Sequence, residues 1–346
     1  MSGLKAALLR TLSLPGAKTS LSPFRRGQAA IFMLHRFHAP DLGVEGHDPA
    51  LLRRTLAHLR RQRYEITTLA DVFRRLAGDG PPLRGAVAFT IDDGYLDHAQ
   101  VAAPLFAEFD APVTTFVTTG FLDGMIWFWW DQLEYVFRQA RRRAVTLTIG
   151  TVRVEYRWSN DAERDRHLAD ATARCKEIPN SEKLTAIQQL AQALEVDLPE
   201  RAPSPRYQAM TWDDLRRCER GGMNFGPHTV THPVLSRTET TQSEHELREG
   251  WRRLSQESRQ PVPVFCYPNG RFQDFGDREV RTLRDLGMLG AVVGISGYAS
   301  TRRFHATPAS PFGVQRFPYP EDLGHFLQVV TGLERVKTIV RERSWG

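Results

Sequence analysis

The chain has 346 residues, 41% of them apolar and 25% charged, with a formal net charge of +6. That balance excludes a disordered or low-complexity chain and leaves room for one large domain with an insertion, or for two ordinary domains. No apolar run approaches membrane-span length, and acidic residues interleave with basic ones over most of the chain, which speaks against a dedicated nucleic-acid surface.

The excess positive charge sits at the start, where Lys5, Arg10, Lys18, Arg25, Arg26 and Arg36 precede the first acidic residue, Asp41. The apolar run 6–9 is too short for a secretion signal and is interrupted by Arg10. Cys175, Cys218 and Cys266 are odd in number and scattered, so a reducing compartment is expected rather than a disulfide framework. The expected location is the cytoplasm. Leu4, Leu8 and Leu12 fall at helical spacing beside Lys5 and Arg10, a pattern suited to peripheral contact with the inner face of an anionic membrane. The plainer alternative is a basic extension, residues 1–28, packed on its own domain.

From residue 29 onward, short β-rich runs at 30–37, 86–92, 113–119, 223–229, 262–267 and 288–294 alternate with amphipathic stretches such as 51–61 and 69–76. Strands joined by helices predict a parallel barrel or an open parallel sheet, with chemistry at the C-terminal ends of the strands. Thr211 followed by Asp214 predicts a capped helix start, and Gly221-Gly222 its end. The rhythm breaks over 121–205. Alternating runs on either side of Gly150-Thr151 predict a hairpin there, helices follow over about 160–176 and 181–195, and Pro203 and Pro205 mark the exit. This stretch is expected to be an inserted α+β subdomain. Val329, Leu333, Val336 and Val340 predict a C-terminal helix within 321–346.

Two clusters carry chemistry. Phe89-Thr90-Ile91-Asp92-Asp93-Gly94 ends an apolar strand in two carboxylates and a turn-permitting Gly, a pattern that an ordinary strand-ending turn also produces. His228-Thr229-Val230-Thr231-His232 places two imidazoles four apart between Pro227 and Pro233, which disfavour a helix through both. Together they supply two imidazoles and a carboxylate, a zinc ligand set with a position left open, plus a second carboxylate able to take a proton from water.

These motifs resemble the polysaccharide deacetylases with the NodB-homology domain, carbohydrate esterase family four. The resemblance implies that Asp92 is the general base and that Asp93, His228 and His232 are the metal ligands. Phe265-Cys266-Tyr267-Pro268-Asn269-Gly270 looks like a variant of the family's third motif. Asn269 stands where a Tyr backbone N–H supports the oxyanion, Tyr267 is placed at the substrate, and the Arg that usually opens the motif is missing. Met33-Leu34-His35-Arg36 resembles a Tyr-His-Arg element in members acting on poly-N-acetylglucosamine, and Arg316-Phe317-Pro318 the Arg-containing late strand of that branch. His35 is thereby placed as acid or substrate contact, with a structural histidine as the alternative, and Arg316 as a substrate contact. His325, in a helix-like stretch, is a poor match for the usual late acid.

The resemblance spans about 29–120 and 206–320 and implies a distorted parallel (β/α) barrel, in agreement with the strand–helix rhythm. The expected activity is removal of N-acetyl groups from an amino-sugar glycan or oligosaccharide, with a lipid-linked form among the candidates. Zinc is the expected metal, although cobalt, nickel and iron suit similar ligands. The rivals are a deacylase of a non-sugar amide or ester and a non-catalytic glycan-binding homologue. Trp127, Phe128, Trp129 and Trp130 are either a sugar-stacking wall or subdomain core.

Overall fold

The computed structural model describes residues 20–336. Its strands are β1 (Gln28–Leu34), β2 (Ala86–Ile91), β3 (Val113–Val117), β4 (Ala144–Ile149), β5 (Val152–Arg157) and β6 (Met223–Pro227). After them come β7 (Val264–Cys266), β8 (Gly290–Val293), β9 (Ala299–Ser300), β10 (Val314–Gln315) and β11 (Phe317–Pro318). All six strands expected of the alternating core are present, each ending up to three residues earlier than its predicted run.

β11, β1, β2, β3 and β6 form one parallel ladder, with Phe32 beside both Phe317 and Phe89, while β10, β8 and β7 form a second. The Val262 N–H donates to the Phe225 carbonyl at 2.7 Å, joining the two ladders on one side. On the other side the chain itself passes from β10 to β11 through Arg316. The ring therefore consists of β1, β2, β3, β6, β7, β8 and the 314–318 segment, a parallel barrel with fewer staves than the full eight.

Side-chain alternation sorts this ring into two layers. Ala86 and Ala88 face inward with Ile31, Phe116, Val264 and Val292. Val87, Phe89 and Ile91 face outward, where Leu52, Leu56 and Leu59 of the helix Pro49–Arg61 cover them. The helix Leu69–Leu76, capped by the Thr68 hydroxyl, sends Leu69, Val72 and Phe73 into the inner cluster at the N-terminal end of the ring. One end is thus plugged with apolar side chains, and the C-terminal mouth is left for polar ones.

Within 121–205, the helix Trp129–Gln139, the β4–β5 hairpin and the helices Asp161–Lys176 and Asn180–Ala193 surround a cluster of their own that includes Leu133, Phe137, Val154 and Leu190. The hairpin turns on Gly150 at φ 62, as its sequence predicts. Thr211 and Asp214 form the anticipated capping box. The expected C-terminal helix is interrupted rather than continuous: Leu323–Thr331 ends at Gly332, whose φ of 88 gives a left-handed cap, and helix resumes over 333–336. Val329 packs into the core before that break, Leu333 and Val336 follow it, and Val340 lies outside the described residues, as do Leu4, Leu8 and Leu12. Among the described residues no helix is long and apolar enough to cross a membrane.

The ring is tight where β6 crosses Phe116. A Cβ on Gly226 would lie 2.8 Å from that ring and 3.0 Å from the Val264 carbonyl. Gly226→Ala is therefore expected to cost about 1–3 kcal/mol through overpacking, measured as a lowered denaturant midpoint. An unchanged midpoint would mean that β6 and β7 are not closed on each other here.

Candidate active site

Consecutive residues of a strand point to opposite faces, so two adjacent carboxylates cannot both enter one mouth from a regular strand. The chain resolves this at Asp93, whose φ of 92, followed by Gly94 at 96, breaks the alternation just after β2. Asp92 and Asp93 are both buried at the C-terminal mouth. Thr229 and His232, in the loop after β6, also have positive φ, as does Asn269 after β7. Of the seven non-glycine residues with positive φ among the described residues, these four meet in one place, the concentration of backbone strain that functional sites show.

His228 Nε2 and His232 Nε2 each lie 3.6 Å from Asp93 Oδ1. The three ligand atoms fall within 4.8 Å of one another, a separation that fits a single metal ion. His228 Nδ1 donates to the Cys266 carbonyl at 2.7 Å, which leaves Nε2 facing Asp93; burial lowers the His228 pKa, but Cys266 and Asp93 outweigh it and raise it, so that a bound ion would take the place of the Nε2 proton. Burial pushes the His232 pKa down to about 3, which keeps its imidazole neutral and fit for ligation. A second cluster, Asp92, His228 and Cys266, is equally compact. It is the poorer metal site, because burial pushes the Cys266 thiol pKa up and Asp92 is already engaged by a cation.

That cation is Arg316. Its Nη1 and Nη2 donate to Asp92 Oδ1 and Oδ2 at 2.7 and 2.8 Å, and its remaining donors go to Thr90 Oγ1, the Val293 carbonyl and Cys266 Sγ. Burial raises the Asp92 pKa, but the Arg316 charge and its paired hydrogen bonds outweigh it and leave the carboxyl below its ordinary range. Arg316 was expected at the substrate. It borders the cavity but is 1% exposed, with its guanidinium engaged by the Asp92 carboxylate. Arg271 does not replace the arginine that the third motif lacks, since it pairs with Asp274 and Glu177.

These groups line a cavity of about 600 Å³ at the mouth. His35 stands at its edge with 47% of its side chain exposed and Nε2 3.9 Å from Asp92 Oδ2. Asn269 lines the cavity too, and its buried amide nitrogen has no partner among the described residues. Tyr267 lines the cavity too, with its ring stacked on Phe275 at 3.7 Å within an apolar cluster. His325 is exposed on its helix and does not line the cavity. The aromatic run divides: Trp127, Phe128 and Trp129 are buried, whereas Trp130 lines the cavity with its ring 4.7 Å from that of His232.

Two elements escape the sequence reading. Glu246, fully buried on the helix Thr240–Glu257, accepts the Val230 and Thr231 N–H groups at 2.8 Å and the Thr231 hydroxyl at 2.6 Å, pinning the loop between the two histidines. In sequence it is one acid in a polar helix, and only the periodicity placing it on the same face as Leu247, Gly250 and Leu254 marked it as inward. The second is the wall from the insertion, where Trp130, Asp131, Thr172 and Lys176 border the cavity.

A parallel barrel with a buried His/His/Asp cluster and a separately held carboxylate at its C-terminal mouth has the layout of a barrel hydrolase. The chain belongs to the polysaccharide deacetylase family, which matches residues 79–290, and the family makes it a hydrolase of the deacetylase class. The fold is similar to that of Streptococcus pyogenes deacetylase PplD in complex with acetate, at 17% identity and a TM-score of 0.56, with 88% of this chain and 98% of that one covered. It is also similar to IcaB from Ammonifex degensii, at 14% identity and a TM-score of 0.53, covering 88% and 97% of the two chains. A de-N-acetylase from Aggregatibacter actinomycetemcomitans aligns over 85% of this chain and 96% of its own, at 11% identity and a TM-score of 0.51. No curated protein matches the sequence.

Because Asp92 ionises more readily folded than unfolded, its pair with Arg316 stabilises the fold at neutral pH, and that contribution is lost only as pH falls through the folded carboxylate's pKa. Arg316→Ala leaves a buried carboxylate unpaired and is expected to cost about 3–5 kcal/mol at neutral pH. Protonation relieves that cost, so the variant should recover stability relative to wild type on acidification toward pH 5. Denaturant melts at the two pH values check this, and an equal loss at both would contradict it.

Proposed function

We propose that the protein removes N-acetyl groups from an amino-sugar-containing glycan or oligosaccharide, with a divalent metal, most readily zinc, held by Asp93, His228 and His232. The observation that carries this reading is the convergence of those three ligand atoms beside Asp92, a carboxylate kept ionised by Arg316. A bound ion would polarise the acetyl carbonyl and make the attacking water more acidic.

The chain's own groups then have distinct tasks. Asp92 takes the proton of the attacking water, and its bidentate pair with Arg316 fixes which way its oxygens face. The Asn269 backbone N–H, at the turn after β7, donates to the oxyanion of the tetrahedral intermediate, a role that does not depend on the side chain present there. His35, at the open edge, contacts the sugar, and Trp130 offers an aromatic face beside the metal ligands. The apolar plug below and the insertion wall above limit access of bulk water.

The test combines metal content with acetate release from N-acetylglucosamine oligomers. Wild type should bind metal and release acetate. Asp92→Asn should keep the metal and lose at least about 10²-fold in kcat, and His228→Ala should lose both. A metal-bound wild type inactive on every N-acetylated sugar tried, or a wild type that binds no metal, would refute the reading.

We also propose a cytoplasmic setting and a lipid-linked substrate met at the membrane face, a reading supported by the basic N-terminal segment and its Leu4, Leu8 and Leu12 stripe. Flotation with anionic vesicles should carry the full chain upward, and do so less after residues 1–19 are removed. Full-length protein left entirely at the bottom would remove this part.

A further inference from the structure

Release of the amine requires a proton, and the insertion places an unassigned acid in the same cavity. Asp131, in the first turn of the helix Trp129–Gln139, is 5% exposed and lines the cavity beside Trp130, whose ring packs on His232. Its Oδ2 accepts the Tyr95 hydroxyl at 2.8 Å, and that hydroxyl in turn accepts Trp130 Nε1–H at 2.9 Å. Among the described residues no hydrogen bond engages Oδ1. One oxygen is anchored and the other is left toward the cavity.

We propose that Asp131, carried by the insertion, is the proton donor to the departing amine. The proposal rests on the deacetylase reading. The surroundings suit a carboxylic acid rather than a carboxylate: burial and Glu134 one turn along raise the Asp131 pKa, against the opposing pull of the Tyr95 hydrogen bond and of Arg36, whose guanidinium lies 3.6 Å over the Tyr95 ring. Arg206, which also feels Asp131, is paired with Glu134. His35 is less suited, because it is solvated and faces Asp92, the group that has just received the proton of the attacking water.

The proton balance closes. Water loses one proton to Asp92 as its oxygen bonds to the acetyl carbon, and the carbonyl pair moves onto oxygen. On collapse that pair re-forms the carbonyl, the C–N bond breaks with its electrons going to nitrogen, and nitrogen takes the Asp131 proton. Acetic acid and the free amine leave, and solvent returns the proton from Asp92 to Asp131.

The experiment compares wild type with Asp131→Asn in the metal-loaded full chain, on N-acetylglucosamine oligomers and on p-nitrophenyl acetate, whose leaving group departs without a proton. The variant should lose about 10²–10⁴-fold in kcat on the amide and far less on the ester. Undiminished amide turnover, or equal losses on both substrates, would overturn the assignment. A wild type that releases no acetate from the oligomers would sink the deacetylase reading, and this inference with it. If Asp131→Asn does not fold, Tyr95→Phe serves instead: loss of its hydroxyl raises the Asp131 pKa, so the alkaline limb of kcat should move to higher pH, and a limb that stays in place overturns the proposal.

Discussion

A charged carboxylate stands inside the mouth of a ring otherwise lined with Ala86, Ala88, Phe116, Val264 and Val292, and the Arg316 guanidinium is what makes that position tenable. Desolvation alone would keep Asp92 protonated. With both guanidinium arms on its two oxygens, the carboxylate stays ionised and its orientation is set before any substrate arrives. The same arginine ties the closing 314–318 segment to β2 through Thr90 and to β8 through the Val293 carbonyl. Closure of the barrel and preparation of the proposed base are therefore one structural event.

Much of this was legible in the residues. The strand–helix rhythm located the core strands, because a parallel barrel buries both faces of each strand and leaves compact apolar runs. Asp92, Asp93, His228 and His232 were legible as motifs because their spacing is local. The partnership of Asp92 with Arg316 was not: it joins residues 224 apart, and nothing near either one reports it. Arg316 was singled out by resemblance and given a substrate contact, since burial of a guanidinium cannot be read from its neighbours in sequence. The break inside the last helical stretch was not legible for a different reason. The apolar stripe continues past Gly332, and periodicity does not register that this residue adopts a left-handed conformation.

The 121–205 segment builds one wall of the site. Identity to the solved deacetylases is 11–17%, so the likeness speaks for the fold, and the particular cavity is built from this chain's side chains. Trp130, Asp131, Thr172 and Lys176 form a wall that the trunk motifs do not provide. The aromatic run opening the insertion serves both sides, with Trp129 packed in the subdomain core and Trp130 against His232. The subdomain core and the cavity wall are thereby joined through adjacent residues of one helix.

The central claim is that Asp93, His228 and His232 hold the metal while Asp92 remains free to act as base. The competing cluster shares His228 but would use Asp92 and Cys266, turning the base into a ligand. X-ray absorption on the zinc-loaded protein separates the two directly. The account predicts a shell of nitrogen and oxygen at about 2.0–2.2 Å with no sulfur, and a sulfur contribution at about 2.3 Å would contradict it.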